Sequence, residues 1–187
     1  MGMGHTTRPT GISILAVLHI LSGALGFIVI ASLVAQFRQN LEALQFLNTL
    51  GLPPALFIFA IVLLFSLSTV SGIGMWKGKR WGWYLGSFYY LYSVVRNAIT
   101  LITIPVLTRF ISPEEFAEAG YGPSYYYVKY GGRVLVNLLI YLYFFRSNVR
   151  EFFALAEYQK WKPVVIELWI CVAIVVMTNV VARMISR

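Results

Sequence analysis

The stretch Ser71–Arg96, SGIGMWKGKRWGWYLGSFYYLYSVVR, decides the fold. One apolar run ends at Gly74-Met75-Trp76, a second opens at Trp81-Gly82-Trp83-Tyr84, and Lys77, Lys79 and Arg80 stand between them. Aromatic rings settle at the boundary between lipid headgroups and hydrocarbon, with cations just outside in water. The stretch therefore reads as two membrane helices joined by a tight basic corner on the cytoplasmic side. Ser68 and Gly72 lie one turn apart before the corner, and Gly82 and Gly86 one turn apart after it. Such spacing lets two backbones approach closely where van der Waals packing must replace the hydrophobic effect. It suits packing within the hairpin and suits a dimerisation face.

Composition sets the class in the same direction. Of the 187 residues, 59% are hydrophobic and 12% charged, and aspartate is absent, whereas about a quarter of an ordinary soluble domain is charged. The expectation is an all-α, polytopic integral membrane protein forming one domain, with no room for a separate soluble one. The net charge of +8 does not argue for nucleic acid. Its cations lie mostly at the ends of apolar runs, where they anchor helices and face anionic lipid. The single cysteine, Cys171, cannot form an intrachain disulfide and carries no information on compartment.

Working outward from the hairpin, five transmembrane helices are expected over residues 11–35, 55–76, 81–107, 126–145 and 164–184. The first run, Gly11–Ala35, is 25 residues long; as a helix it would cover ~37 Å, enough to cross a hydrocarbon core of about 30 Å with some tilt. A signal peptide is the rival reading of this run, but it exceeds the usual apolar core of such peptides and only Arg8 precedes it. Met1-Gly2 with Thr6 matches a myristoylation pattern, for which chance is the simpler explanation in a protein with several membrane helices. Pro53-Pro54 suits the start of the second helix.

Short amphipathic interfacial helices are expected over 38–50, 113–119 and 149–159. Ser112-Pro113-Glu114-Glu115 starts the second of these by its capping pattern, and Asn148-Val149-Arg150-Glu151 repeats that logic for the third. With the N-terminus inside, eight cations fall on the cytoplasmic side and six outside, with Arg96 inside a span. That bias favours the stated orientation. If the fifth run, which contains Glu167, were only interfacial, the count would become ten against four.

No set of acids, bases, nucleophiles or metal ligands converges in the sequence, so no catalytic residue, metal site or required cofactor is expected. Gly72-Ile73-Gly74 with Gly78 echoes a dinucleotide fingerprint in the wrong context, between membrane helices. Intramembrane polar groups are the functional lead, because an ionisable side chain at depth is costly and suggests a buried partner or pathway. Arg96, Asn97 and Thr100 on the third helix and Arg133 and Asn137 on the fourth could form a basic pocket in the outer half of the bundle. A loop glutamate, an anionic lipid headgroup or an anionic solute would satisfy it. The alternative is purely structural satisfaction by backbone carbonyls, water and snorkelling. His19, with Ser22 and Gly23 on its face, admits two readings: a single axial ligand to a haem or chlorophyll, or a hydrogen bond to a neighbouring helix.

Arg8-Pro9-Thr10-Gly11-Ile12, the corner Gly74-Met75-Trp76-Lys77-Gly78-Lys79-Arg80-Trp81-Gly82-Trp83, and Asn148-Val149-Arg150-Glu151-Phe152-Phe153 together resemble uncharacterised small prokaryotic membrane proteins with four helices. The resemblance covers residues 8–153 and implies no activity; the fifth helix stands outside it. The resulting expectation is a non-catalytic subunit or scaffold of the prokaryotic inner membrane. Its partners would be membrane lipids and other membrane proteins or further copies of itself. The alternatives are a small carrier or channel for an anion, or a lipid-binding protein, each using Arg96 and Arg133.

Overall fold

The structure is a computed structural model and describes residues 7–39, 54–107 and 122–185. Among these residues it is all-helical, without strands: α1 Thr10–Gln39, α2 Pro54–Trp76, α3 Arg80–Leu107, α4 Pro123–Phe144, α5 Ser147–Phe152 and α6 Trp161–Ile185. The five long helices match the five expected runs to within a few residues at each end. Pro54 opens α2, and Pro123 opens α4 behind Gly122, where the missing N–H of proline removes no helical bond.

At the level of length and hydropathy the support for spanning is narrower than the five expected spans. Among the described residues one helix is long and apolar enough to cross a bilayer, Thr10–Ala35 of α1, with mean hydropathy 2.5; Ile61–Trp76 of α2 is apolar but shorter. The helices α3 and α4 have the length, at 28 and 22 residues. Their tyrosines, together with Arg96-Asn97 on one and Lys129, Arg133 and Asn137 on the other, dilute the apolar run. The interfacial helix expected over 113–119, and that over 38–50 beyond the end of α1, lie outside the described residues.

Neighbours in sequence pack side by side as antiparallel pairs, α1 with α2, α2 with α3 and α3 with α4, and α6 packs on α3. The central element is therefore α3. The corner between α2 and α3 is three residues, Lys77–Lys79, and it closes by backbone bonding alone. The N–H of Lys79 donates to the carbonyl of Gly74 at 2.9 Å and that of Gly78 to Met75 at 3.2 Å, with Gly78 at φ 62°. This is the helix-ending arrangement in which a left-handed residue turns two orphan N–H groups back on the last carbonyls, and glycine takes that conformation without a Cβ clash.

The close approach expected from the small residues is made inside the chain. A Cβ on Gly82 would strike the backbone of Gly74 and Met75, and one on Gly72 would stand 2.8 Å from the carbonyl oxygen of Ala16. Gly82 thus serves the α2–α3 hairpin, while Gly72 serves the α1–α2 contact.

The core gathers at the end of the bundle that holds the N-terminus and the hairpin corner. Ile12, Met75, Trp83, Phe144, Val149 and Phe153 are all essentially inaccessible there. Trp83 locks α3 to α4: its Nε1–H donates to the carbonyl oxygen of Phe144 at 2.9 Å, and its ring meets Phe145 edge-on at 5.2 Å. Trp83→Phe keeps most of the packing and removes the donor, leaving a buried carbonyl unpaired. The expected cost is about 1–2 kcal/mol, measured as reduced thermal stability in detergent.

The expectation of an interfacial helix over 149–159 is corrected. Helix α5 ends at Phe152, because the chain reverses through Ala154 at φ 54°. Leu155 N–H donates to the carbonyl of Arg150 at 2.8 Å and Ala154 N–H to that of Glu151 at 3.0 Å, the same closure as at Gly78 but with alanine in the left-handed position. That conformation costs a residue with a Cβ about 1–2 kcal/mol. Ala154→Gly is expected to raise stability by about 0.5–1 kcal/mol, the relief being partly offset by the greater freedom of glycine in the unfolded chain. Thermal unfolding of the two proteins under one condition measures it.

Candidate functional site

The five residues of the expected basic pocket do not converge on an enclosed site. Arg96 is exposed on α3 and Arg133 is exposed on α4. Their neutral companions are satisfied along their own helices. Asn97 donates to the Ser93 carbonyl at 2.6 Å, Thr100 to the Arg96 carbonyl at 3.0 Å, and Asn137 to the Arg133 carbonyl at 2.6 Å. Asn97 is nonetheless buried, at 3% exposure. The Arg133 guanidinium stands 5.8 Å from the centre of the Tyr130 ring. A cavity of about 500 Å³ lies elsewhere, lined by Arg80, Ala154, Ala156, Glu157 and Tyr158. There Arg80 donates to the Tyr158 hydroxyl at 2.8 Å.

His19 is enclosed between helices. Its Nε2 faces the Tyr90 hydroxyl at 3.2 Å, its ring meets Tyr89 edge-on at 4.8 Å, and 4% of the residue is accessible. On the adjoining face of α1, Ser68 of α2 donates to the His19 carbonyl at 3.1 Å and its hydroxyl meets that of Ser22 at 3.0 Å. A Cβ on Gly23 would run into Thr69. The interhelical hydrogen bond is thus the arrangement found. Protein atoms fill the space over the Nε2 face that a macrocycle would need.

A second buried polar group was not among the expected site residues. Glu167 of α6 accepts from the Ser87 hydroxyl of α3 at 2.5 Å and is 4% exposed. Tyr141 of α4 lies beside the same carboxyl and interacts with it, and its hydroxyl and Glu167 Oε2 are both buried. Cys171 follows one turn along α6, fully buried. Pro163, Glu167 and Cys171 recur at intervals of four and form the buried stripe of α6. That periodicity was the available signal: a carboxylate in register with the inward face of a helix faces a neighbouring helix and not lipid.

This polar seam ties α3, α4 and α6 together at three side chains. It holds a carboxyl, a phenol, a hydroxyl and a thiol, but Glu167 and Cys171 are closed to a substrate. Among the described residues no three His, Cys, Asp or Glu side chains group as a metal site. The groups with chemical capability are enclosed, whereas Arg96 and Arg133 are exposed. Comparison with family models, curated proteins and solved structures finds no match to this chain.

Proposed function

We propose that the chain is a five-span integral membrane protein, N-terminus inside, serving as a non-catalytic subunit or scaffold that packs against other proteins of a prokaryotic inner membrane. One observation carries this reading: each of the five long helices turns large apolar side chains outward. Ile28 of α1 is 63% exposed, Leu64 of α2 63%, Ile102 of α3 73%, Val128 of α4 77% and Trp169 of α6 70%. Faces of that kind on every helix of a bundle belong in lipid or against another apolar surface.

Sidedness is supported by the cations at the core end. Arg8 lies 4.2 Å from the Trp76 ring centre, Arg80 5.1 Å from that of Tyr158 and Arg146 5.8 Å from that of Tyr143. Lys77 and Lys79 flank the corner between the first two. A smaller set, Lys129 and Arg133 beside Tyr125 and Tyr130, lies toward the other end, so the larger cluster of cations at the core end favours placing that end inside.

An anion carrier would need walls around Arg96 and Arg133. The neutral residues offered for those walls bond to their own helices, so the subunit reading is preferred. Two measurements test it. A fluorescent protein fused at the N-terminus should light in the cytoplasm, and alkaline phosphatase fused at the C-terminus should be active outside. Purification in mild detergent should then retain a stoichiometric membrane-protein partner; a clean monomer would sink the scaffold reading.

A further inference from the structure

We infer that the outer half of the α3–α4 face, around Arg96 and Arg133, docks a transmembrane helix of a different protein that carries an intramembrane carboxylate. The inference deepens the subunit reading and rests on it. The hydrogen bond from Trp83 to Phe144 sets the register of the two antiparallel helices. From Trp83 to Arg96 is 96 − 83 = 13 residues, and from Phe144 back to Arg133 is 144 − 133 = 11 residues. At the helical rise these are about 20 Å and about 17 Å, so the two arginines stand within about 3 Å of one level. That level lies about 15 Å inside the outer ends of both helices, well below lipid phosphates in a core about 30 Å thick.

Both arginines are exposed there, Arg133 with its guanidinium 5.8 Å from the centre of the Tyr130 ring. A charge at such a depth is kept on an outward face at high cost unless something pairs with it. Among the described residues neither has a carboxylate within ion-pair distance. A second copy of this chain is a poor partner. Among the described residues its long helices hold one carboxylate, Glu167, which is buried against Ser87, and the expected outer-loop glutamates, Glu114, Glu115 and Glu118, belong to the segment between α3 and α4 and not to a span. A second copy would bring two more cations to the same level.

Beside Arg133 the surface also has room for a close neighbour. A Cβ on Gly131 or on Gly132 would meet nothing within 4 Å. By contrast, a Cβ on Gly23, Gly26, Gly72, Gly74, Gly82 or Gly86 would strike another part of the chain. Those six glycines serve contacts already made. The pair on α4 weakens the helix interior without any such return inside the chain and leaves backbone open to a partner next to a cation.

The test uses the full chain in phosphatidylcholine nanodiscs, labelled for energy transfer to a synthetic leucine-rich transmembrane peptide of about 20 residues. One peptide carries a single central glutamate and its control carries leucine. The glutamate peptide should associate at least about tenfold better, and the double variant Arg96→Leu/Arg133→Leu should abolish the difference. Arg133→Lys should restore part of it, and Gly132→Leu should weaken association with both arginines in place. Equal association of the two peptides overturns the proposal. So does displacement of the glutamate peptide by phosphatidylglycerol added to the same nanodiscs, which assigns the arginines to lipid headgroups.

Photo-crosslinkers placed in native membranes at Val136 on α4 and at Trp169 on α6 separate this face from the reading beneath it. Capture at 136 that is lost in the double arginine variant supports the docking face. Capture at 169 alone keeps the subunit reading and overturns this face. Capture at neither overturns both.

Discussion

Gly82→Leu is expected to abolish stable folding of the helical hairpin. The reason is geometric: a Cβ at this position would run into the backbone of Gly74 and Met75 on the facing helix, and backbone cannot swing aside as a side chain can. The three-residue corner prevents relief by sliding, since the bonds from Gly78 and Lys79 to Met75 and Gly74 fix the register of the turn. Overpacking a core usually costs about 1–3 kcal/mol, and a clash of backbone with a branched side chain at the centre of the packing belongs at or above the upper end. Because α3 also carries Trp83 and Ser87 to α4 and α6, displacing it loosens both. The expected readout is loss of the monodisperse peak after mild heating in detergent. Gly131→Ala is the control, expected to be neutral or slightly stabilising because the site is open and alanine favours helix. A Gly82→Leu protein as heat-resistant as the parent would show that the hairpin is not packed at this position.

The helices were legible because the apolar runs are long and are punctuated by cations, aromatic rings and proline, as at Trp76–Trp81, Pro54 and Pro123. The direction in which each residue points was much less so. In a soluble helix the apolar stripe marks the inside, but a helix in lipid is apolar on both sides, and its periodicity loses that meaning. Arg96 and Arg133 could therefore be placed at a common depth from sequence, yet read as facing inward when both face outward. Glu167 entered the sequence reading only as a charge within the fifth run; its register with Pro163 and Cys171 places it against Ser87 and Tyr141. His19 was legible as an interhelical hydrogen-bonding group, since Ser22 and Gly23 mark the same face as a contact face.

Arg150→Met is expected to destabilise the loop that follows α5 by about 3 kcal/mol, the range found when a charge-assisted hydrogen-bond donor is removed and its acceptors are left unpaired. Arg150 is 6% exposed, and its guanidinium donates to the carbonyl oxygen of Leu155 at 2.7 Å and to that of Tyr158. These bonds explain why the amphipathic spacing of Phe152, Phe153 and Ala156 does not extend α5. The carbonyls that a longer helix would point along its axis are instead gathered onto one side chain, and Phe153 and Leu155 are folded into the core. Methionine keeps the length and apolar stem of arginine, so what is lost is the donor pair. Lysine keeps the charge but offers it as a point and not a planar fork, so Arg150→Lys should fall between methionine and the parent. Limited proteolysis reads the loop directly: cleavage between residues 153 and 160 should accelerate in the order arginine, lysine, methionine while the helices stay resistant. Equal cleavage of all three would mean that the loop is held by Phe153 and Leu155 alone. The same loop lines the cavity at Arg80 and Tyr158, so loosening it should also weaken the Arg80 contact that ties it to the start of α3.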